Sequence, residues 1–295
     1  MDPGNEQRGQ TSWAVRRFYK LLKKRILSPS IIHPIKFCAE FLGEIVRTVD
    51  DLIYPPPAVC PLCGRQCPEL QEEILCPRCQ EAIPFIQPPV CLRCGRPLRL
   101  AAANPCHECA GRPLFYQSAR AVGLYKDYFR QIILALKYFG RLELAEPLGG
   151  LLAARFEDEP ELCRTQAIVP VPLHLHRLAR RGFNQAELLA RAMAKTVRRP
   201  VFSDTLERIK ATKAQNQLTL EERRSNVAGA FVAANTGQIR GRRVLLVDDI
   251  MTTGFTVSEC ARVLLAAGAT EVHVLTLAVG VVEEQWLAGI LPMDN

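Results

Sequence analysis

Four Cys-x-x-Cys pairs between residues 60 and 109 form the clearest chemical pattern in the chain. Each pair places two thiolates on one side of a tight turn, and two such turns facing each other make the tetrahedral site that structural zinc prefers. Sequential pairing gives two sites, and an interleaved cross-brace uses the same ligands. Neither pairing leaves an open coordination position, so the zinc is expected to be structural. The eight expected ligands are Cys60, Cys63, Cys76, Cys79, Cys91, Cys94, Cys106 and Cys109.

A second chemical segment lies at residues 244–256, where an apolar run ends in Asp248 and Asp249 and a loop rich in Thr and Gly follows. Ligands bind α/β sheets at the carboxyl ends of strands, and the N–H groups that begin the next helix suit a phosphate. The carboxylates can accept hydrogen bonds from the vicinal hydroxyls of a ribose or face a Mg²⁺ ion. Because neighbouring strand residues point to opposite faces, the two aspartates are expected to differ in role.

The chain from about residue 118 alternates between strand and helix patterns. Continuous apolar runs at residues 119–125, 167–172, 244–247 and 272–279 predict strands that are buried on both faces. Strands of this kind separated by helices indicate a parallel α/β sheet flanked by helices.

Helical periodicity accounts for the segments between these strands. The helix predicted at 127–156 is interrupted near Gly140 and Pro147. Asn184 is expected to cap the helix predicted at 183–197. Gly268 suits the position just after the end of the helix predicted at 256–267. Residues 226–233 are expected to form a further strand. The predicted helices cover residues 127–156, 183–197 and 256–267.

The overall composition is that of a globular protein: 48% of the 295 residues are apolar and 23% are charged. A formal charge of +8 favours an anionic partner. No uncharged apolar run approaches the roughly 20 residues that a membrane span needs. The basic N-terminus lacks the apolar core of a signal peptide, so the clustered thiols predict metal binding in a reducing cytoplasm.

Two amphipathic stretches precede the cysteine pairs. Residues 12–27 hold six basic and no acidic residues, and their apolar side chains recur at helical spacing. Such a helix can lie in contact with an anionic membrane surface, DNA or a partner protein, or stay solvated. Residues 35–53 form the second stretch, and three prolines at residues 55–57 end it.

The sequence from Val244 to Thr256, Val-Leu-Leu-Val-Asp-Asp-Ile-Met-Thr-Thr-Gly-Phe-Thr, resembles the phosphoribosyl-pyrophosphate (PRPP) signature of type I phosphoribosyltransferases. Val169-Pro-Val-Pro-Leu, followed by Arg180-Arg-Gly-Phe-Asn-Gln-Ala-Glu, resembles the ComF family within that group. Asn226-Val-Ala-Gly-Ala-Phe and the doubled cysteine module also resemble that family. The resemblance covers about residues 35–280.

The resemblance implies a type I phosphoribosyltransferase fold and a role for each matching segment. Asp248 and Asp249 would contact the ribose 2′- and 3′-hydroxyls of PRPP, which binds with Mg²⁺. The loop that follows would hold the 5-phosphate, and residues 172–174 would face the pyrophosphate. Residues 205–220 correspond to a mobile hood over the site. The implied substrate-contacting residues are Asp248, Asp249, Ile250, Met251, Thr252, Thr253, Gly254, Phe255, Thr256, Pro172, Leu173 and His174.

Five positions add detail to the resemblance. Within the hood, Arg208, Thr212 and Gln215 match positions typical of ComF proteins. Lys213 stands where many relatives have Pro, which is a departure from the family pattern. Lys137 also matches a family position, but the sequence assigns it no role.

The resemblance further implies a link to natural transformation and to incoming single-stranded DNA. Basic side chains suit phosphates, and exposed aromatic rings suit stacked bases. The aromatic candidates are Tyr125, Tyr128, Phe129, Tyr138, Phe139 and Phe183. The basic candidates are Arg177, Arg180, Arg181, Arg208 and Lys213.

Three functions are compatible with these motifs. A protein that binds PRPP can transfer the phosphoribosyl group by displacement at the anomeric carbon through an oxocarbenium-like state. No motif names the acceptor, and no catalytic residue is assigned. The same fold also serves non-catalytic proteins, so a single-stranded DNA-binding module and an adaptor of the uptake machinery are the alternatives.

The predicted organisation has four parts along the chain. The fold class is α/β, with a phosphoribosyltransferase-like parallel sheet that follows a small double zinc ribbon and N-terminal helices. The parts are a basic helical extension at 1–34, an amphipathic helix and linker at 35–57, a double zinc ribbon at 58–112, and a phosphoribosyltransferase-like domain at 118–283.

Overall fold

The computed structural model describes residues 59–67, 75–101, 104–211 and 220–280. All of them belong to one compact unit of the chain. The two N-terminal helices predicted at 12–27 and 35–53 lie outside the described residues, as do Thr212, Lys213 and Gln215 of the hood. Among the helices that the structure describes, none is long and apolar enough to cross a membrane.

Four parallel strands form the central sheet: β1 (Ala119–Leu124), β2 (Ala167–Pro170), β5 (Arg243–Met251) and β6 (Glu271–Val279). Their order across the sheet is β1-β6-β5-β2. Their side chains are almost entirely buried, which confirms the prediction from the continuous apolar runs. A small antiparallel pair lies apart from this sheet and consists of β3 (Leu206–Arg208) and β4 (Phe231–Ala233).

Eight α-helices are described. They are α1 (Pro77–Ala82), α2 (Asp127–Tyr138), α3 (Ala145–Glu157), α4 (Pro160–Cys163), α5 (Leu175–Arg181), α6 (Gln185–Val197), α7 (Leu220–Val227) and α8 (Phe255–Ala266). Asn184 caps α6 as predicted, because its side chain accepts a hydrogen bond from the backbone N–H of Ala186 at 3.1 Å. Gly268 follows α8 with φ 102°, as expected of a residue just past a helix end.

Two local predictions were wrong. Pro147 does not interrupt a helix, because it is the third residue of α3, where its missing N–H would have no partner within the helix. The interruption predicted near Gly140 is confirmed, because α2 ends at Tyr138 and Gly140 has φ 66°. The strand predicted for residues 226–233 is the end of α7, a turn through Gly229 at φ 61°, and only then β4.

The helices α3 and α6 pack closely against each other on the sheet. Gly149 makes this approach feasible, because a Cβ added there would lie 2.4 Å from the Cβ of Ala192. Gly123 in β1 similarly leaves room for the ring of Phe129. The first contact joins α3 to α6, and the second joins β1 to α2.

The cysteine module contains the same backbone pattern twice. The two copies correspond to the similar segments Cys60-Pro-Leu-Cys-Gly-Arg and Cys91-Leu-Arg-Cys-Gly-Arg. In the first copy, Cys60 donates its N–H to the carbonyl oxygen of Arg65 at 2.8 Å. In the second copy, Cys91 donates to Arg96 at 2.7 Å. The glycine between the second cysteine and the arginine has positive φ in both copies, 73° and 71°. Arg65 and Arg96 therefore occupy equivalent positions in the two ribbons.

Candidate functional site

The eight paired cysteines form two clusters of four, one in each ribbon. The ligand atoms of each cluster lie within 4.8 Å of one another. The clusters follow the sequential pairing, so the interleaved alternative is wrong for the described residues. The members are Cys60, Cys63, Cys76 and Cys79 in the first, and Cys91, Cys94, Cys106 and Cys109 in the second.

The spacing of the sulfur atoms fits zinc. A tetrahedral ion with Zn–S bonds of about 2.3 Å places its sulfur ligands roughly 3.8 Å apart. The Sγ atoms of Cys60 and Cys79 lie 3.9 Å apart, and those of Cys63 and Cys76 lie 3.8 Å apart. In the second cluster the Sγ atoms of Cys94 and Cys106 are separated by 3.7 Å. The donor set is four sulfurs in each case, which suits zinc and leaves no position for a substrate.

The segments singled out at 172–174 and 248–256 leave the sheet at the same edge. The strands β2 and β5 are parallel neighbours, with Pro170 opposite Val247. Because β5 continues for four residues beyond that pairing, Asp248 and Asp249 project past the end of β2. The carboxyl edge of this sheet is therefore the candidate site, in agreement with the prediction made from the position of Asp248 and Asp249 in the sequence.

Asp249 is committed to an internal ion pair. Its Oδ2 atom lies 2.7 Å from Nζ of Lys137 on α2, and only 5% of its side chain is exposed. Burial opposes ionisation, but the charge and hydrogen bond of Lys137 outweigh it and hold the pKa of Asp249 below its ordinary value. The same attraction from Asp249 outweighs burial at Lys137 and raises the pKa of that amine. Both groups are therefore charged at neutral pH.

Asp248 differs from its neighbour in burial and in the direction of its pKa shift. Its side chain is partly exposed, and its Oδ1 atom accepts a hydrogen bond from the N–H of Asp249 at 2.8 Å. Burial, and then the nearby negative charge of Asp249, raise the pKa of Asp248 well above its ordinary value. Of the two carboxylates, Asp248 is the one that solvent can reach.

A polar network surrounds the ion pair. The amide of Gln185, the first residue of α6, donates a hydrogen bond to Asp249 and accepts one from Arg181. The guanidinium of Arg181 also lies over the ring of Tyr138, 5.3 Å from its centroid. Sequence reasoning missed Gln185 and gave Lys137 no role. Gln185 lies in the segment Arg180-Arg-Gly-Phe-Asn-Gln-Ala-Glu, and its resemblance to the ComF family was the available signal.

The loop after β5 ends at Gly254, which has φ 78° and is the residue before α8. No side chain caps this helix, and the first N–H groups of a helix suit an anion. Thr252 is exposed, while Thr253, Phe255 and Thr256 are partly exposed. Ile250 and Met251 still belong to β5, and Met251 is buried.

The loop after β2 is held by the capping asparagine. The side-chain amide of Asn184 donates to the carbonyl oxygen of Val171 at 3.1 Å. Pro172 is buried and Leu173 is partly exposed. His174 caps α5, because its Nδ1 atom accepts a hydrogen bond from the N–H of His176 at 3.3 Å.

The structure places four of the five basic candidates near this edge and leaves Lys213 outside the described residues. Arg180 is exposed, and Arg177 is close enough to Arg208 to lower the pKa of its guanidinium, after the larger effect of burial. The ring of Phe231 lies 5.2 Å below Arg208.

The aromatic candidates differ in access. Phe129 is buried in the core, and the hydroxyl of Tyr128 lies 3.7 Å from Sγ of Cys79. Tyr138 and Phe139 are 60% and 78% exposed. Tyr125 contacts the guanidinium of Arg130, and Phe183 is partly exposed. Tyr138 and Phe139 are therefore the most exposed of the six rings.

Two family models match the chain. Residues 173–284 match the phosphoribosyl transferase domain, and residues 49–110 match the double zinc ribbon domain. The first match contains β5 and the loop that follows it, and the second contains both cysteine clusters and the linker before them.

Curated relatives match most of the chain. Competence protein F of Haemophilus influenzae is 32% identical over 208 residues, which cover 69% of this chain and 90% of that protein. DNA utilization protein YhgH of Salmonella typhimurium is 33% identical over 224 residues, covering 75% and 96%. Competence protein ComFC of Bacillus subtilis is 27% identical over 214 residues, covering 70% and 84%.

Among solved structures, the glutamine PRPP amidotransferase of B. subtilis overlaps 49% of this chain and 30% of its own, at 20% identity and a TM-score of 0.34. A score this low carries no argument about function. The parallel sheet, its carboxyl edge and the two four-cysteine clusters define a phosphoribosyltransferase-like protein that carries a double zinc ribbon. The relatives place it more narrowly: the chain belongs to the ComF family.

Proposed function

We propose that this protein binds PRPP or a related ribose phosphate, together with Mg²⁺, at the carboxyl edge between β2 and β5. The observation that carries the proposal is Asp248. It is a partly exposed carboxylate, and the charge of the neighbouring Asp249 is balanced by Lys137. It also lies a few residues before the start of a helix that no side chain caps. A sugar that bears a phosphate matches both features, since its hydroxyls need acceptors and its phosphate needs N–H donors.

Each part of the edge has a place in this proposal. Asp248 accepts hydrogen bonds from the ribose hydroxyls, while the ion pair of Asp249 and Lys137 holds the end of β5 in position. Residues 252–256 hold the 5-phosphate, and residues 172–174 face the pyrophosphate. Bound Mg²⁺ would offset negative charge on the departing pyrophosphate. The protein's own part in a transfer reaction is to fix the sugar and exclude competing orientations.

We further propose that both ribbons hold structural zinc through the eight clustered thiolates. The family model of a double zinc ribbon and the sulfur spacing support this assignment. Metal binding of this kind supplies folding free energy to a small module with little core of its own.

A role in DNA uptake is proposed from the relatives, which are named for competence and for DNA utilization. A specific observation favours direct contact with single-stranded DNA: Tyr138 and Phe139 are exposed, and Arg181 lies over the ring of Tyr138. Exposed aromatic rings stack on bases, and guanidinium groups pair with phosphates. The basic helix at 12–27 as a membrane contact, the adaptor role and a cytoplasmic location stay predictions from the sequence.

Calorimetric titration with Mg²⁺-PRPP tests the binding proposal. The wild-type protein is expected to bind, and Asp248→Asn is expected to lose that binding, because the change removes the negative charge and replaces one acceptor oxygen by an NH2 donor. Asp249 and Lys137 are left in place. Glu207→Gln is the matched control, since Glu207 is an exposed carboxylate on β3. If Asp248→Asn binds as tightly as the control, the proposed site is wrong.

A further inference from the structure

The second ribbon, defined here as residues 90–112, packs against the loop after β5. Only about 10 Å³ of space remains between the Cys94 and Cys109 turns and the backbone of residues 251–254. That is room for about one water molecule. The ribbon is therefore in direct contact with the loop to which the proposed function assigns the 5-phosphate.

Arg96 makes the closest connection between the ribbon and the loop. Its guanidinium donates to the carbonyl oxygen of Thr252 and forms an ion pair with Glu108 of the same ribbon. Only 15% of the Arg96 side chain is exposed. Because the carbonyl oxygen of Arg96 accepts the N–H of Cys91, the position of this residue depends on the turn that holds the second cluster.

Neighbouring contacts continue along the loop into α8. The hydroxyl of the buried Tyr116 would lie 3.0 Å from a Cβ added at Gly254, so it fills the space beside that residue. The N–H of Phe115 donates to Oγ of Ser258 at 3.1 Å. The guanidinium of Arg112 lies 5.8 Å from the centre of the Phe255 ring. The whole start of α8 is thus supported by residues in or just after the second ribbon.

The first ribbon contacts a different element. Its Cys79 lies against Tyr128 on α2, and its Arg65 is exposed although it occupies the position equivalent to Arg96. The two ribbons share one backbone pattern but differ in what the arginine touches.

We infer that the second ribbon positions residues 252–256, the loop to which the proposed function assigns the 5-phosphate, and that Arg96 is its positioning residue. This inference rests on the proposed function, because it concerns the same loop. Arg96 fixes the carbonyl side of Thr252, which keeps the loop and the first N–H groups of α8 arranged before a ligand arrives. A loop ordered in advance binds more tightly, because less conformational freedom is lost on binding.

The loss of Arg96 is expected to affect the binding affinity of some ligands and not of others. Ribose 5-phosphate uses the loop through its phosphate, whereas inorganic pyrophosphate is assigned to residues 172–174. Arg96→Ala is therefore expected to weaken ribose 5-phosphate about tenfold, the size of one lost charge-assisted hydrogen bond. Binding of inorganic pyrophosphate is expected to stay unchanged. Arg96→Lys keeps a charged donor and is expected to recover part of the loss.

The experiment combines calorimetry with hydrogen exchange on the full-length, zinc-loaded protein. Arg65→Ala is the matched control, because it makes the same change at the equivalent position of the first ribbon. Zinc content is measured for every variant, so that loss of the metal is distinguished from loss of the contact. Amide exchange over residues 252–256 is expected to accelerate in Arg96→Ala and to stay at the wild-type rate in Arg65→Ala.

The outcomes separate this inference from the proposed function. If wild-type protein binds ribose 5-phosphate and Arg96→Ala binds it equally well, with unchanged exchange, the inference is overturned. If wild-type protein binds none of the ligands, the proposed function fails, and the exchange rates alone decide whether Arg96 orders the loop. Should Arg96→Ala lose zinc, Arg96→Met provides a second variant, because it keeps most of the bulk of the side chain but cannot donate to the carbonyl oxygen of Thr252. The same rise in loop exchange is expected, and an unchanged rate there overturns the inference.

Discussion

Nζ of Lys137 and Oδ2 of Asp249 lie 2.7 Å apart although 112 positions separate the two residues in the chain. This ion pair joins the end of α2 to the end of β5 and uses one carboxylate of the acidic pair for structure. Asp248 is left as the carboxylate that a ligand can reach. The division follows from the alternation of side chains along a strand, which places the two aspartates in different surroundings.

Removing Lys137 is expected to destabilise the fold strongly. Lys137→Met leaves a buried carboxylate without its partner, which costs about 3–5 kcal/mol in comparable cases. The free energy of unfolding, measured by urea denaturation, should fall by that amount. The double variant Lys137→Met with Asp249→Asn should be more stable than Lys137→Met alone, because the uncompensated charge is gone. Equal losses that simply add would contradict a direct ion pair.

Asp248 is expected to make ligand binding depend on pH. Its pKa is raised in the folded protein, so the carboxyl is protonated below that value and cannot bind a cation or accept from two hydroxyls. Affinity for Mg²⁺-PRPP should therefore increase as the pH rises through the raised pKa. Titrations of wild type and Asp248→Asn at several pH values isolate this contribution, since ionisation of the ligand is common to both. Parallel pH profiles would show that Asp248 does not take part.

The same residue is expected to reduce stability at neutral pH. A carboxyl whose folded pKa lies above its unfolded value stabilises the fold in acid, and this contribution is lost as the pH rises. Asp248→Asn should therefore raise the free energy of unfolding at neutral pH. Thermal unfolding of Asp248→Asn, compared with that of Glu207→Gln, measures this change in stability. A less stable Asp248→Asn protein would mean that the carboxylate is favourably bound.

The zinc content should follow the two clusters. Metal analysis is expected to return about two zinc ions per chain, and Cys63→Ser about one. Cys163→Ser is the control, because Cys163 lies outside both clusters and its Sγ contacts the carbonyl oxygen of Phe156. Wild-type protein with one zinc or none would overturn the two-site assignment.

Single-stranded DNA binding, if the second candidate function holds, should depend on salt. Arg180→Ala is expected to reduce the slope of log affinity against log salt by about 0.7, the value for one phosphate contact on a single strand. Tyr138→Ala should weaken binding by about 1–3 kcal/mol for each stacked base and leave the slope unchanged. Arg164→Ala serves as the control, since Arg164 is exposed just before the start of β2, at the other end of the sheet. Identical slopes for both arginine variants would remove Arg180 from the DNA contact.

The parts of the fold that the sequence predicts are those set by local pattern. The strands β1, β2, β5 and β6 are continuous apolar runs, and α6 begins at a capping asparagine, so both signals lie within a few residues. The prediction at Pro147 was wrong because a proline in the first turn of a helix and a proline that breaks one look alike until the helix start is known. The turn at Gly229 was read as strand because the short apolar segment around it has no distinctive period.

The parts of the site that the sequence does not predict depend on contacts between distant segments. Lys137 matched a family position, but nothing near it in the chain indicates Asp249. Arg96 looks the same as Arg65 in sequence, and only the packing of the second ribbon on Thr252 separates them. The pairing of the cysteines was also undecided until their sulfur atoms were placed in space.

The most direct test of the account is the calorimetric titration of wild-type protein and Asp248→Asn with Mg²⁺-PRPP. The account predicts saturable binding by the wild type, loss of that binding in Asp248→Asn, and wild-type affinity in Glu207→Gln. Heat of binding that is absent from the wild type, or that persists unchanged in Asp248→Asn, would contradict it.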